Sequence, residues 1–324
     1  MMKKLFSTLA TLALAAAPLT ASAQLRWDLP SGYGANTFQV QNLQQFAAEV
    51  ESASGGRLKL QLHPGASLYK ANEIKRAVQT NQVAIGEFIV SGAANENPLF
   101  GIDSIPFLAT SYADARRLDA ASRPALEKLL AAQGMRLLYT VPWPPQSLYS
   151  RTPVRTLADL KGTKMRAYNP ATTRIAELIG AQPVTIQLAE LPQALATGAV
   201  HNFLTSSASG VDSKLHEQVK HFYGVAAWLP RNIVVVNQRA FDALDKPVQD
   251  AVLKAAAAAG ERGWKLSEQK DGEYLKALED VGMSVDREAT ALKGELKALG
   301  ERMTDEWLRN AGPEGRAVID AYRR

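Results

Sequence analysis

The chain of 324 residues contains no cysteine. Disulfide staples, thiolate metal sites, cysteine nucleophiles and a lipidated N-terminal cysteine are all excluded by that absence. Histidine is nearly as scarce, with four residues, His63, His201, His216 and His221. His216 and His221 are five positions apart, which turns them away from each other on a helix, and no His-x-x-x-His pair occurs. No metal site is expected. The sequence also lacks a Gly-x-Ser-x-Gly elbow, since Ser206-Ser207-Ala208-Ser209-Gly210 has no leading glycine. Gly32-Tyr33-Gly34-Ala35-Asn36-Thr37 begins like a dinucleotide loop, but Thr37 stands where the third glycine belongs and no acidic partner follows at the required distance. No cofactor is expected either. There is no dense run of Lys or Arg, so a nucleic-acid partner is not expected, and the net charge of +5 drops by two to +3 if Lys3 and Lys4 are removed.

What is present begins with an address. Met1-Met2-Lys3-Lys4 is a short basic region, Leu5 to Ala17 is apolar, Pro18 breaks the run, and Ala21-Ser22-Ala23 supplies the small residues that a signal peptidase reads. This predicts a signal peptide over residues 1–23, cleaved before Gln24. The apolar run is shorter than the roughly 20 residues a membrane span needs, and no later stretch reaches that length. The expected location is periplasmic.

A chain this long suggests two domains at roughly 150 residues each. Leu25 to Leu29 reads as a strand, followed by a turn over Ser31 to Gly34 and a helix from about Thr37 to Ala53. Gly55-Gly56 ends that helix, and Arg57 to His63 alternates so that Leu58, Leu60 and Leu62 share one face of a strand. A helix at about 71–80 and a strand over Val83 to Val90 follow, which predicts an α/β fold with a mainly parallel sheet. The segment from Glu73 to Val83 can be laid on that from Glu190 to Val200, with the Glu, Ala, Thr and Val positions identical. Chance recurrence of helix-then-strand periodicity is one reading of this match; two similar lobes with a cleft between them is the other. Pro142-Trp143-Pro144-Pro145 reads as a stiff crossover and Asn232 to Asn237 as a second, with a long charge-rich helix over Lys246 to Glu279. The expected lobes are residues 24–143 plus about 238–279, and about 144–237 plus 280–324.

The chemistry concentrates in the segment from Asp159 to Pro170. On a strand, Lys164, Arg166 and Tyr168 share a face, and the strand ends where Asn169 can cap a helix and Pro170 can occupy its first turn. Arg166 would then project at the C-terminal edge of a parallel sheet, where ligands of open α/β sheets bind. A guanidinium there offers two parallel donors to a carboxylate. The residues alone fit a second reading equally well, in which Arg166 is one half of an ordinary ion pair.

The chain resembles the solute-binding proteins of tripartite ATP-independent periplasmic (TRAP) transporters, of the C4-dicarboxylate-binding type. The residues that carry the resemblance are Leu160-Lys161-Gly162-Thr163-Lys164-Met165-Arg166, Gly180-Ala181-Gln182-Pro183-Val184, Glu190 and Ala194 to Val200, with Gly55 to Leu58 and Ile105 to Leu108 in support. The resemblance implies a two-lobed periplasmic binding protein fold with a ligand cleft between the lobes and a long connecting helix. It implies a receptor that passes a small organic acid to inner-membrane transporter subunits, with Arg166 holding the ligand carboxylate. An exported hydrolase with an unrecognised site is the rival from another class, and a receptor for a tricarboxylate-type transporter or a chemoreceptor is a third reading.

The sequence departs from the family pattern in two places. His201-Asn202-Phe203-Leu204 replaces the polar run that usually follows Gly-x-Val, which shifts the expected polar contact to Thr205 or Ser206. The second arginine of some members is missing, and Gln146 stands in its region. An amide cannot neutralise a second carboxylate, so a monocarboxylate (a hydroxy, keto or aryl acid) is expected over succinate, malate or fumarate. Tyr33, Trp143 and Trp228 could bury its apolar part or serve as core. Glu87, Asn169 and Asn232 complete the expected ligand-binding set. The counter-reading is that Lys70, Lys164 or Arg231 supplies a second positive charge.

Overall fold

The computed structural model describes residues 24–324. The leader and its cleavage point lie outside the described residues. From the start, the chain forms β1 (Leu25–Pro30), α1 (Phe38–Ala53), β2 (Leu58–His63), α2 (Ile74–Gln79), β3 (Ile85–Ile89), α3 (Tyr112–Ala132) and β4 (Met135–Pro142). Next come β5 (Ser147–Ser150), β6 (Lys164–Ala167), α4 (Pro170–Leu178), β7 (Gln182–Thr185), α5 (Leu191–Ala196), β8 (Asn202–Thr205), α6 (Ser207–Asp212) and β9 (His221–Tyr223). The chain closes with β10 (Arg231–Asn237), α7 (Gln238–Asp242), α8 (Lys246–Asp280), β11 (Ser284–Asp286) and α9 (Thr290–Arg323).

Local chemistry accounts for most of these bounds. The Thr37 hydroxyl accepts from the Val40 amide at the start of α1, and Gly55 and Gly56 leave it with φ of 64° and 75°. Leu58 and Leu60 of β2 turn into the core that Val40, Leu43, Phe46 and Val50 of α1 also fill. The internal match between Glu73–Val83 and Glu190–Val200 is a structural repeat. Each glutamate accepts from the backbone N–H three residues before it, Lys70 at 3.2 Å and Gln187 at 3.4 Å. Each threonine hydroxyl then caps a carbonyl four residues back, and the following residue, Asn81 or Gly198, takes positive φ. A buried valine leads into β3 in one copy and β8 in the other.

The strands form two lobes. In the first, β1 pairs with β2 in parallel, and β10 lies antiparallel between β3 and β4. In the second, the order is β11-β9-β5-β8-β6-β7. The sheets are therefore mixed and not mainly parallel: β6 runs parallel to both neighbours, whereas β5 is antiparallel to β8 and β9. The physical reason is the crossovers, since a strand that returns from the other lobe enters its sheet from the opposite end. The expected crossover from 232 to 237 is such a strand, and β10 is bonded into the first sheet.

The two crossover segments run side by side. The Trp143 amide donates to the Pro230 carbonyl and the Gln146 amide to that of Trp228, each at 2.8 Å. Beside this seam the Arg231 side chain is sealed from solvent, with Nε 3.2 Å from Asp103 and Nη1 2.6 Å from Asp119. The long helix α8, 35 residues, begins against the first core through Val248, Val252 and Ala255 and ends with Leu278 in the second. Gly263 makes its close approach necessary, because a Cβ there would lie 2.4 Å from Val141.

Removing the charge at the seam should expose its structural weight. Arg231→Met would strand two buried carboxylates, and a loss of about 3–5 kcal/mol is expected. Urea denaturation followed by tryptophan fluorescence measures it; a loss below 1 kcal/mol would show that the triad is dispensable.

Candidate functional site

The site is built outward from β6. Its four residues alternate between Lys164, exposed, Met165, buried in the second core, and Arg166, which is 4% exposed. Because β6 lies between β7 and β8 and runs parallel to both, Arg166 stands at the C-terminal side of a parallel ladder, opposite Val184 and Phe203. Its Nε donates to the Ile186 carbonyl at 2.9 Å, and its guanidinium carbon lies 4.9 Å from the centre of the Tyr168 ring. Among the described residues, Nη1 and Nη2 have no protein acceptor and no carboxylate pairs with the group. The ion-pair reading of Arg166 therefore has no partner, in contrast to Arg231. Burial of the uncompensated charge pulls the Arg166 guanidinium down to about 10, with the nearby tyrosines opposing the shift.

Arg166 faces a cavity of about 40 Å³ between the lobes. The first lobe supplies Gly32, Tyr33, Ala71 and Ile89, the crossovers supply Trp143, Gln146 and Pro230, and the second lobe supplies Tyr168, Gln187, Leu188, Thr205 and Ser209. Gly32 allows the wall to close, since a Cβ there would lie 2.6 Å from that of Ala71. The Tyr168 hydroxyl donates to Gln146 Oε1, and Gln146 Nε2 donates to the Pro144 carbonyl. A larger cavity of about 640 Å³ adjoins this one through Ala71, Ile89, Tyr168 and Gln187, and carries Lys75, Arg76 and Arg174.

Of the expected ligand-binding residues, Arg166, Gln146, Thr205, Tyr33 and Trp143 are brought together on the cavity wall. Five others are not. Ser206 is consumed as the cap of α6, its hydroxyl accepting from the Ser209 amide. Asn169 caps α4 through the Thr172 amide and donates across the lobes to Ser91 at 2.9 Å and Ser104 at 3.2 Å. Trp228 is packed into the second core. Glu87 and Asn232 sit one layer behind the wall and bind each other, with Asn232 Nδ2 donating to Glu87 Oε1 at 3.0 Å. Burial pushes the Glu87 carboxyl up, against the hydrogen bonds from Ser31 and Asn232 that hold it down.

The counter-reading with a second cation also finds no support. Lys70 and Lys164 are exposed and off the cavity wall, and Arg231 is locked by Asp103 and Asp119. Arg166 is the one cationic side chain on the wall among the described residues, and no carboxylate accompanies it there. No group of three His, Asp or Glu side chains among the described residues could hold a metal ion. Tyr168, Ser209, Gln187 and Leu188 were not expected at the site. Tyr168 was legible, because it shares the strand face of Arg166; the others arrive on loops and helix starts with no motif to mark them.

Residues 31–309 match the family described as bacterial extracellular solute-binding protein, family 7. Among solved structures, DctP6 of Bordetella pertussis, an extracytoplasmic solute receptor binding pyroglutamic acid, is 52% identical with a TM-score of 0.90, covering 92% of this chain and 99% of that one. A marine metagenome TRAP solute-binding protein specific for pyroglutamate, solved with co-purified pyroglutamate, is 42% identical with a TM-score of 0.91, covering 93% and 99% of the two chains. The C4-dicarboxylate-binding periplasmic protein DctP of Rhodobacter capsulatus is 26% identical over 305 residues, 91% of this chain and 87% of its own.

A buried, unpaired charge predicts a trade between function and stability. Burial lowers the folded-state value of Arg166 without removing its proton, so the charged form is penalised in the closed, ligand-free cleft. Arg166→Met is therefore expected to stabilise the ligand-free protein by about 1–3 kcal/mol at pH 7. Denaturation of refolded, ligand-stripped protein checks this; a destabilised variant would show that the contacts to Ile186 and Tyr168 outweigh the cost of burying the charge.

Proposed function

The chain belongs to the bacterial extracellular solute-binding proteins of family 7, and from that premise we propose that it is a TRAP receptor for a small cyclic monocarboxylate, pyroglutamate being the best fit. The observation that carries this reading is the Arg166 guanidinium, buried in a closed cleft with both Nη atoms free of acceptors among the described residues. A bound carboxylate would take the two-donor fork and return the charge balance that burial disturbs. On the wall of the smaller cavity a second carboxylate would find no second cation among the described residues, which disfavours C4-dicarboxylates. An α-amino acid is disfavoured for the converse reason, since its ammonium would find no carboxylate on the wall. Pyroglutamate avoids both penalties, because its amine is closed into a neutral lactam. Its small ring suits a pocket walled by Ile89, Trp143, Leu188 and Pro230, and Gln146, Thr205 and Ser209 offer hydrogen bonds to its polar atoms. The pyroglutamate binding of the two similar receptors described above supports the same choice.

In this reading the protein works in the periplasm after cleavage before Gln24 and hands its ligand to inner-membrane transporter subunits. Its expected lobes, 24–143 plus about 238–279 and about 144–237 plus 280–324, are adjusted in this reading so that residues 231–237 of β10 go to the first lobe, where the strand pairs with β3 and β4. Ligand contacts from both lobes favour the closed arrangement over an open one.

Calorimetry against a panel of acids tests the assignment. Pyroglutamate should bind and succinate, malate and fumarate should not; the reverse order would overturn the ligand class. Arg166→Lys should lose most of the affinity, by about 2–5 kcal/mol, because an ammonium cannot reproduce the planar fork. Affinity should be flat from neutral pH through about pH 10, because an arginine side chain keeps its proton across that range.

A further inference from the structure

Behind the first-lobe wall of the cavity lies a chain of buried hydrogen bonds whose polarity is fixed at every step. Trp143 Nε1 lies 2.9 Å from Asn232 Oδ1. An indole nitrogen can only donate, so the oxygen of the Asn232 amide must face it. The Nδ2 side is then turned to Glu87 Oε1, whose other oxygen takes the Ser31 hydroxyl at 2.6 Å. The amide orientation holds whether or not Glu87 carries a proton, because Trp143 alone is enough to set it.

The consequence reaches the cavity through Tyr33. Its hydroxyl lies 3.2 Å from the same Asn232 Oδ1, an atom that has no hydrogen to give. The one hydroxyl proton of Tyr33 is therefore directed inward. We infer that Asn232, held by Glu87 and Trp143, leaves Tyr33 Oη as a hydrogen-bond acceptor toward the cavity, and that this atom reads an N–H or O–H donor adjoining the ligand's carboxylate. Tyr33 and Trp143 both line the wall, but the Trp143 proton is already spent, so Tyr33 is the atom of fixed acceptor polarity on that side. Arg166 opposite it is donor only. The wall thus asks for an anion and a donor in one small molecule, and Asn232 and Glu87 act as positioning residues behind it. Acids with a neutral N–H or O–H donor next to the carboxylate are preferred, and keto or purely carbocyclic acids bind more weakly.

This rests on the pyroglutamate reading and is separable from it. The probe is 3-oxocyclopentane-1-carboxylate, which has a methylene where pyroglutamate has its ring N–H and is otherwise close in shape. Calorimetry on the wild-type protein should find it about tenfold to a hundredfold weaker, the scale of a buried acceptor left unsatisfied. In Tyr33→Phe, pyroglutamate should weaken to near the level of the analogue, whose own affinity should hardly change. Glu87→Gln should keep the preference, since a glutamine oxygen can still accept from Asn232 Nδ2. Tight pyroglutamate binding with equal affinity for the analogue, or equal weakening of both in Tyr33→Phe, would overturn the inference and leave the receptor assignment intact. Failure of the wild type to bind pyroglutamate at all would overturn both. The wild-type comparison needs no variant, so a misfolded Tyr33→Phe cannot shelter the idea.

Discussion

The Arg166 guanidinium carries its charge into a closed cleft where none of the described side chains neutralises it. Much of the surrounding architecture can be understood from that one imbalance. Strand β6 sits between two parallel neighbours, so the side chain emerges at the end of the ladder and faces the other lobe. The Ile186 carbonyl fixes one edge of the guanidinium and the Tyr168 ring covers one face, which leaves the outer nitrogens directed at the ligand space. A site arranged this way is incomplete by itself. In the proposed reading the counter-charge is supplied by the ligand's carboxylate.

Arg231 makes the contrast plain. It is as deeply buried as Arg166, yet two carboxylates meet it and its backbone N–H also donates to Asp103. The same residue type at similar burial is ion-paired in one place and left without a carboxylate partner among the described residues in the other, and the difference lies in which neighbours the fold supplies. Asp103 also accepts from Ser104, which in turn receives Asn169 from the second lobe. A continuous polar seam therefore joins the helix beside Arg166 to the crossover strand β10.

Much of the fold was legible because local chemistry and burial agree. The three leucines of β2, the Thr37 cap, the paired glycines after α1 and the repeat of Glu73 and Glu190 each state their role in sequence. Arg166 was legible too, since strand, cap and proline follow one another in seven residues from Lys164 to Pro170. The parallel character of the sheets was misread, because nothing local records the direction from which a strand returns. At the site, chain position was readable but the fate of polar atoms was not. Ser206, Asn169, Asn232 and Glu87 lie near the cleft, yet caps and buried partners use their hydrogen bonds, and those partners are up to 199 residues away in the case of Asn232 and Tyr33. Trp228 looked like a ligand wall and is core, a distinction that sequence spacing does not encode.

Helix α8 is rooted at both ends, in the first core near Val248 and in the second at Leu278, and its middle is pressed against β4 where Gly260 and Gly263 admit the strand. Such a member cannot swing on a loose linker. Any turn of one lobe against the other must be absorbed as elastic curvature along a continuous hydrogen-bonded rod, together with the paired crossovers beside it. In mechanical terms the molecule is a flexure and not a pivot: its travel is short, its axis is fixed by construction, and the restoring force grows with the angle.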